Sequence, residues 1–202
     1  MHARLNPFRA ERIEALRFRF VAGSDLPAVL ERFASLRHRG VLVGPQGSGK
    51  TSLREEIERG LAAQGWRIRA LVLKDDAPVP TAESARLLEG AGARDLISID
   101  GLDRLSFPAW RRLRREARAA GGILATSHVR GRLPTLYEHR TSPALLRDLV
   151  ADLTGAPGAA SLAARCDDLF SRCRGDVRAC LRALYDDAAC GRVSLNQSSA
   201  LS

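Results

Sequence analysis

Val41-Leu42-Val43-Gly44-Pro45-Gln46-Gly47-Ser48-Gly49-Lys50-Thr51 is the stretch whose reading decides the fold. Three aliphatic residues predict a short buried strand, the glycines a turn, and Lys50 onward the first turn of a helix. From Gly44 the spacing is glycine, four residues, Gly-Lys-Thr, the pattern of a phosphate-binding loop. Glycines at 44, 47 and 49 are expected to take positive φ and let the backbone approach a ligand. The exposed N–H groups then form an anion-binding nest, and the helix start adds further unpaired donors. Lys50 is placed to reach the β- and γ-phosphates, and the Thr51 hydroxyl to ligate Mg²⁺. Gly44, Pro45, Gln46, Gly47, Ser48, Gly49, Lys50, Thr51 and Ser52 are therefore the nucleotide-binding candidates. Lysine usage points the same way. The chain has only two lysines, Lys50 and Lys74, against thirty arginines. Where arginine is the default cation, a lysine at this position suits a compact ammonium rather than a planar fork.

Around that stretch the pattern alternates between strands and helices. Asp25 or Ser24 can cap a helix with Pro27 in its first turn, running to about Arg37. The helix that begins near Lys50 is expected to end at Gln64-Gly65. Trp66–Leu73 reads as a second buried strand, Asp75–Pro80 as a loop and 82–89 as a short helix. Leu96–Asp100 is the third strand. Ser106 caps a helix that stops before Gly121-Gly122, Ile123–Ser127 is the fourth strand, and Leu136–His139 the fifth. Alternation of this kind implies right-handed crossovers and a parallel sheet covered on both faces. From Ser142 the pattern is helical only, with breaks at Gly155 and Gly175. The expected division is an irregular N-terminal arm over 1–23, an α/β core over 24–141, a helical lid over 142–190 and a disordered tail over 191–202. The arm's aromatics are expected to pack on the core or near a nucleotide base.

A phosphate loop needs a carboxylate opposite it to hold the Mg²⁺ water shell. Asp100, at the C-terminal end of an apolar strand, is the candidate, because ligands collect at that end of a parallel sheet. Thr51 and Asp100 are thus the metal candidates. Hydrolysis also needs a group that orients or deprotonates water. Asp103, in Asp100-Gly101-Leu102-Asp103, is the nearest further acid; a solvated acid at a helix start is the alternative. The fourth strand ends Ala125-Thr126-Ser127-His128, and a hydroxyl there either meets the γ-phosphate or satisfies loop backbone.

Composition sets wider limits. At 202 residues the chain is long enough for one full core, and its hydrophobic fraction is 45%. No apolar run approaches the roughly 20 residues of a membrane helix, and Met1–Asn6 lacks a signal-peptide core. Cys166, Cys173, Cys180 and Cys190 match no zinc spacing and read as small buried thiols in a reducing cytoplasm. The net charge of +9 favours anionic partners, although the arginines are spread along the whole chain.

Taken together, residues 38–190 resemble the AAA+ and related ATPases of the additional-strand P-loop class. Gly44–Thr51 is similar to the Walker A motif of that class and Leu96–Asp100 to its Walker B motif. Ser127, with Thr126 beside it, sits where those proteins keep a sensor 1 polar residue. Gly175-Asp176-Val177-Arg178 is similar to the start of the sensor 2 helix in the lid, which would make Arg178 a γ-phosphate contact. The resemblance implies a parallel-sheet P-loop NTPase core with a small helical lid. It implies ATP and Mg²⁺ as cofactors, with Lys50, Asp100, Asp103, Ser127 and Arg178 as catalytic candidates. Gly101 stands where many such ATPases carry glutamate, so slow turnover is expected. The target is a protein or nucleic acid, and a homo-oligomer is compatible with the pattern. Two other classes stay open. In a small-molecule kinase, Arg130, Arg132 and Arg140 would form the phosphate lid. In a non-catalytic basic nucleic-acid-binding module, Arg111, Arg112, Arg114, Arg115 and Arg118 would form the surface.

Overall fold

A computed structural model describes residues 6–20, 24–73 and 86–193. The expected loop at 75–80, the first half of the expected helix at 82–89 and nearly all of the expected tail lie outside these residues. Residues 86–88 are helical. By internal contacts the chain divides into an α/β unit, Phe18–Gly44 with Gly49–His139, and a helical unit, Met1–Arg17 with Pro45–Ser48 and Arg140–Ser202.

In the α/β unit, α2 (Leu26–Ser35) precedes β1 (Arg39–Val43), and α3 (Lys50–Ala63) precedes β2 (Arg67–Val72). Then come β3 (Asp95–Asp100), a 3₁₀ turn (Leu102–Arg104), α4 (Phe107–Glu116), β4 (Gly122–Ser127) and β5 (Thr135–Glu138). The five strands form one parallel sheet in the order β2-β3-β4-β1-β5. Every crossover between parallel strands needs a connection over a sheet face, and the alternation of side chains along each strand serves both faces. Val41, Val43, Ile97, Ile99, Ile123 and Ala125 pack with Trp110 and Leu113 of α4. Leu42, Leu96 and Leu124 pack with Val29 and Phe33 of α2 and with Leu53, Ile57 and Leu61 of α3. Because both faces are buried, the central strands read as continuous apolar runs.

The helix caps follow the sequence closely. The Asp25 side chain accepts from the Ala28 amide at 2.8 Å, and Ser106 from Ala109 at 3.3 Å. Each such cap is worth about 1 kcal/mol. The second strand departs from expectation. β2 is an edge strand, and of its six residues only Leu71 is buried. Its alternating Arg67-Ile68-Arg69 half suits an edge, where charge blocks further strand pairing.

The helical unit holds α1 (Ala10–Glu14), α5 (Pro143–Arg172) and α6 (Val177–Ala189). The N-terminal arm is thus not wholly irregular: residues 10–14 form a short helix, and Phe8 is buried in this unit's core with Leu146, Val150 and Leu184. Phe18 and Phe20 instead belong to the α/β unit, edge-on to Tyr137. Helix α5 bends at Gly155, whose φ of 76° and ψ of 167° are not helical. The cysteines do not share one environment. Cys166 and Cys180 are buried, Cys173 is half-buried and Cys190 is exposed. Burial, together with the neighbouring Cys173, pushes the Cys180 thiol up to about 12.

Candidate active site

The C-terminal ends of β1, β3 and β4 lie side by side in the α/β unit, and the polar residues of the sequence reading gather there. Gly44 does not take positive φ. It continues β1, its N–H donating to the Ser127 carbonyl at 3.2 Å. The left-handed positions are Gly47, at φ 67°, and Gly49, at φ 84°. Lys50 opens α3 and its ammonium donates to the Gly44 carbonyl at 2.8 Å, folding the side chain back across the loop. The Phe18 ring lies against Gly49, and the Phe18 N–H donates to Glu56 at 3.0 Å.

Asp100 ends β3, half-buried. Thr51 donates to its Oδ2 at 3.4 Å, and Thr126 donates to its Oδ1. The Thr126 oxygen in turn accepts from the Gly101 N–H at 2.9 Å. Among the described residues no lysine or arginine pairs with Asp100. A carboxylate held by two hydroxyls, one of them the phosphate-loop threonine, suits an Mg²⁺ bound through water, hydroxyl and phosphate oxygens. Such a site needs no cage of acids, and no group of three or more His, Cys, Asp or Glu side chains that could hold a metal occurs among the described residues.

Ser127 and Thr126, the two hydroxyls at this strand end, take different partners. The Ser127 hydroxyl donates to the Val129 carbonyl at 2.7 Å and accepts from its N–H at 3.1 Å, so it is spent on the loop. Thr126 makes the contact with Asp100. Asp103 lies in the 3₁₀ turn after Gly101 and meets His128, which follows β4. Its Oδ2 is 2.9 Å from the His128 Nδ1, and its Oδ1 accepts the His128 N–H at 3.3 Å. Partial burial pushes the Asp103 carboxyl up, but the His128 ring and the two amides outweigh it and hold it below the usual range. His128 has no role in the sequence analysis above; the signal that could have found it is an acid and a histidine following adjacent strand ends.

In the helical unit, Pro45–Ser48 lies beside the start of α6. The Ser48 hydroxyl donates to the Pro45 carbonyl at 2.8 Å. Asp176 caps α6 through the Ala179 N–H at 2.9 Å. A Cβ on Gly47 would stand 1.9 Å from Asp176 Oδ1 and 3.0 Å from the Arg178 nitrogen. Gly47 is thus fixed twice, by its positive φ and by this close approach. Arg178 is exposed at the first turn of α6. Of the arginines a kinase lid would use, Arg130 pairs with Glu138, and Arg132 donates to the carbonyls of Leu102 and Leu105 at 2.7 and 2.6 Å.

No family model matches the sequence, and no curated protein matches it either. Solved structures do. Thermotoga maritima RuvB, described as a Holliday junction branch migration motor, matches with a TM-score of 0.57 at 20% identity, over 85% of this chain and 63% of that one. An engineered variant of the same protein matches with a TM-score of 0.56 at 17% identity, over 88% of this chain and 69% of that one. Another matches with a TM-score of 0.54 at 18% identity, over 92% of this chain and 65% of that one. The chain thus spans about two thirds of the length of the RuvB chains, and identities this low speak for the fold. With its five-stranded parallel sheet and a glycine loop between β1 and α3, the chain shares the α/β fold of these RuvB structures.

Proposed function

We propose that the chain binds ATP with Mg²⁺ and hydrolyses it slowly, as a nucleotide-dependent switch on a protein or nucleic-acid partner. The observation that carries this reading is the Thr51–Asp100–Thr126 chain of hydrogen bonds, in which Asp100 has no cationic partner among the described residues. The loop amides and the Lys50 ammonium bind the phosphates, the ammonium leaving the Gly44 carbonyl to do so. Thr51 and Asp100 hold the metal, Asp100 through water. Bound Mg²⁺ supplies charge neutralisation on the phosphate oxygens. Asp103, held against His128, orients the attacking water or takes its proton. The helical unit acts as the lid, and Arg178 contacts the phosphate cradled by Pro45–Ser48.

The test is thermal denaturation with and without ATP and Mg²⁺. A ligand that binds only the folded state raises the melting temperature, by about 2.7 kcal/mol in free energy at a hundredfold excess over Kd. Lys50→Ala should abolish the shift. A mutant that shifts like the wild type would remove the phosphate-loop assignment.

A further inference from the structure

Helix α4 buries Trp110 and Leu113 against the sheet, and the flank beside Trp110 carries a row of cations. Arg111, Arg114, Arg115 and Arg118 fall at i, i+3, i+4 and i+7, so they share one face of the helix and its 3₁₀ extension. All four are exposed. Phe107, one turn earlier, is 64% exposed, and the Arg111 guanidinium lies 5.9 Å from its ring centroid. These residues and the edge of Trp110 line one shallow depression. Arg112, off the row, pairs with Glu116 at 2.8 Å. None of the four has an ion pair among the described residues. Each i,i+3 or i,i+4 contact between them is a like-charge pair, which weakens a helix.

We propose that this face binds single-stranded nucleic acid, the arginines on successive phosphates and Phe107 under an unpaired base. Three features select that partner. Guanidinium forks match phosphate oxygens bidentately. An exposed aromatic among cations is the stacking element of sequence-tolerant single-strand binding. Protein interface cores are depleted in charge, whereas four arginines ring this depression. The surface works without the nucleotide site.

The test is fluorescence anisotropy of a labelled dT15 oligonucleotide with the full chain, without ATP, over a salt series. Four phosphate contacts give a slope of log K against log salt of about −2.8, from about −0.7 per contact on a single strand. Arg114→Ala with Arg118→Ala should bring the slope to about −1.4. Phe107→Ala should weaken binding about tenfold at unchanged slope, as expected for one lost base stack. Arg112→Ala should bind like the wild type, and equal melting temperatures would show that all variants fold. The proposal is overturned if dT15 does not bind at low salt, or if the slope survives the double substitution. It is also overturned if a duplex of equal length or polyglutamate competes as well as unlabelled dT15.

Discussion

Strand β3 begins and ends in an aspartate, and the two are treated in opposite ways. Asp95, at its start, is 0% exposed and accepts from the Gly92 N–H at 2.7 Å, from Arg67 at 2.7 Å and from Arg69 at 2.9 Å. Burial alone would push its carboxyl up. The Gly92 amide and the Arg69 and Arg67 guanidiniums outweigh that and hold it below the usual range. Asp100, five residues on, is held by two hydroxyls and by no cation among the described residues. A buried acid whose charge the protein itself balances serves the scaffold. One met only by hydroxyls suits the cation that the proposed function brings to it. With Asp100 as the proposed metal acid, one strand carries a structural aspartate at one end and a functional one at the other.

Four measurements would sharpen or break that contrast. The largest effect is expected just beyond Asp100. Asp103→Asn should lower ATP turnover by about 10²–10⁴-fold, some 3–5 kcal/mol of barrier, with ATP affinity nearly intact. If Asp103 only anchors His128, turnover persists and about 0.3–1 kcal/mol of stability is lost instead. Next, Asp95→Asn should cost about 3 kcal/mol in urea denaturation, because a buried pair loses one partner. It should keep whatever ATP-induced shift the wild type has. A cost near zero would mean the Asp95 cluster is not the structural half of the contrast.

Third, the sign of the pH dependence follows from the lowered Asp95 carboxyl. Its contribution is fully present above the unfolded value near about 3.9 and disappears as pH falls through the lower folded value. Stability of the wild type and of Asp95→Asn, compared from neutral pH downward, should therefore converge at acid pH. Parallel curves would refute the pairing. The smallest effect on stability is expected at Asp100. Asp100→Asn should change the unfolding free energy by under about 0.5 kcal/mol, the range of substitutions away from buried pairs. It should remove the Mg²⁺ dependence of the ATP-induced shift, and an unchanged Mg²⁺ titration would place the metal acid elsewhere.

How legible was this in the sequence? The loop, the strands and the caps were, because each rests on neighbours a few residues apart: Gly-rich spacing, an aliphatic triplet, Ser or Asp before a helix. Asp100 was legible as the polar end of an apolar run. Its companion hydroxyl was not. Ile99 of β3 pairs with Ala125 of β4, so the next residues, Asp100 and Thr126, come out on one face. A step of one residue puts Ser127 on the other face. Only the register decides between two adjacent hydroxyls, and register is not local information. Asp95 was missed for the same reason: β3 was expected to start at Leu96, and Arg67 reaches Asp95 because β2 pairs with β3 at that register. The edge position of β2 is likewise a property of the whole sheet.

Gly101 has a φ of 87°, and a Cβ there would stand 3.0 Å from the Arg104 guanidinium. A glutamate beside Asp100 would have to sit on that left-handed backbone, at a cost of roughly 1–2 kcal/mol. Its N–H would still have to reach Thr126. The substitution that looks simplest on paper, Gly101→Glu, therefore carries a backbone cost of its own. A lineage, or a designer, seeking a faster enzyme from this scaffold would have to recoil the segment between Asp100 and Leu105 before a new acid could help. Improvement is more accessible at the far side of the turn, where an acid already stands.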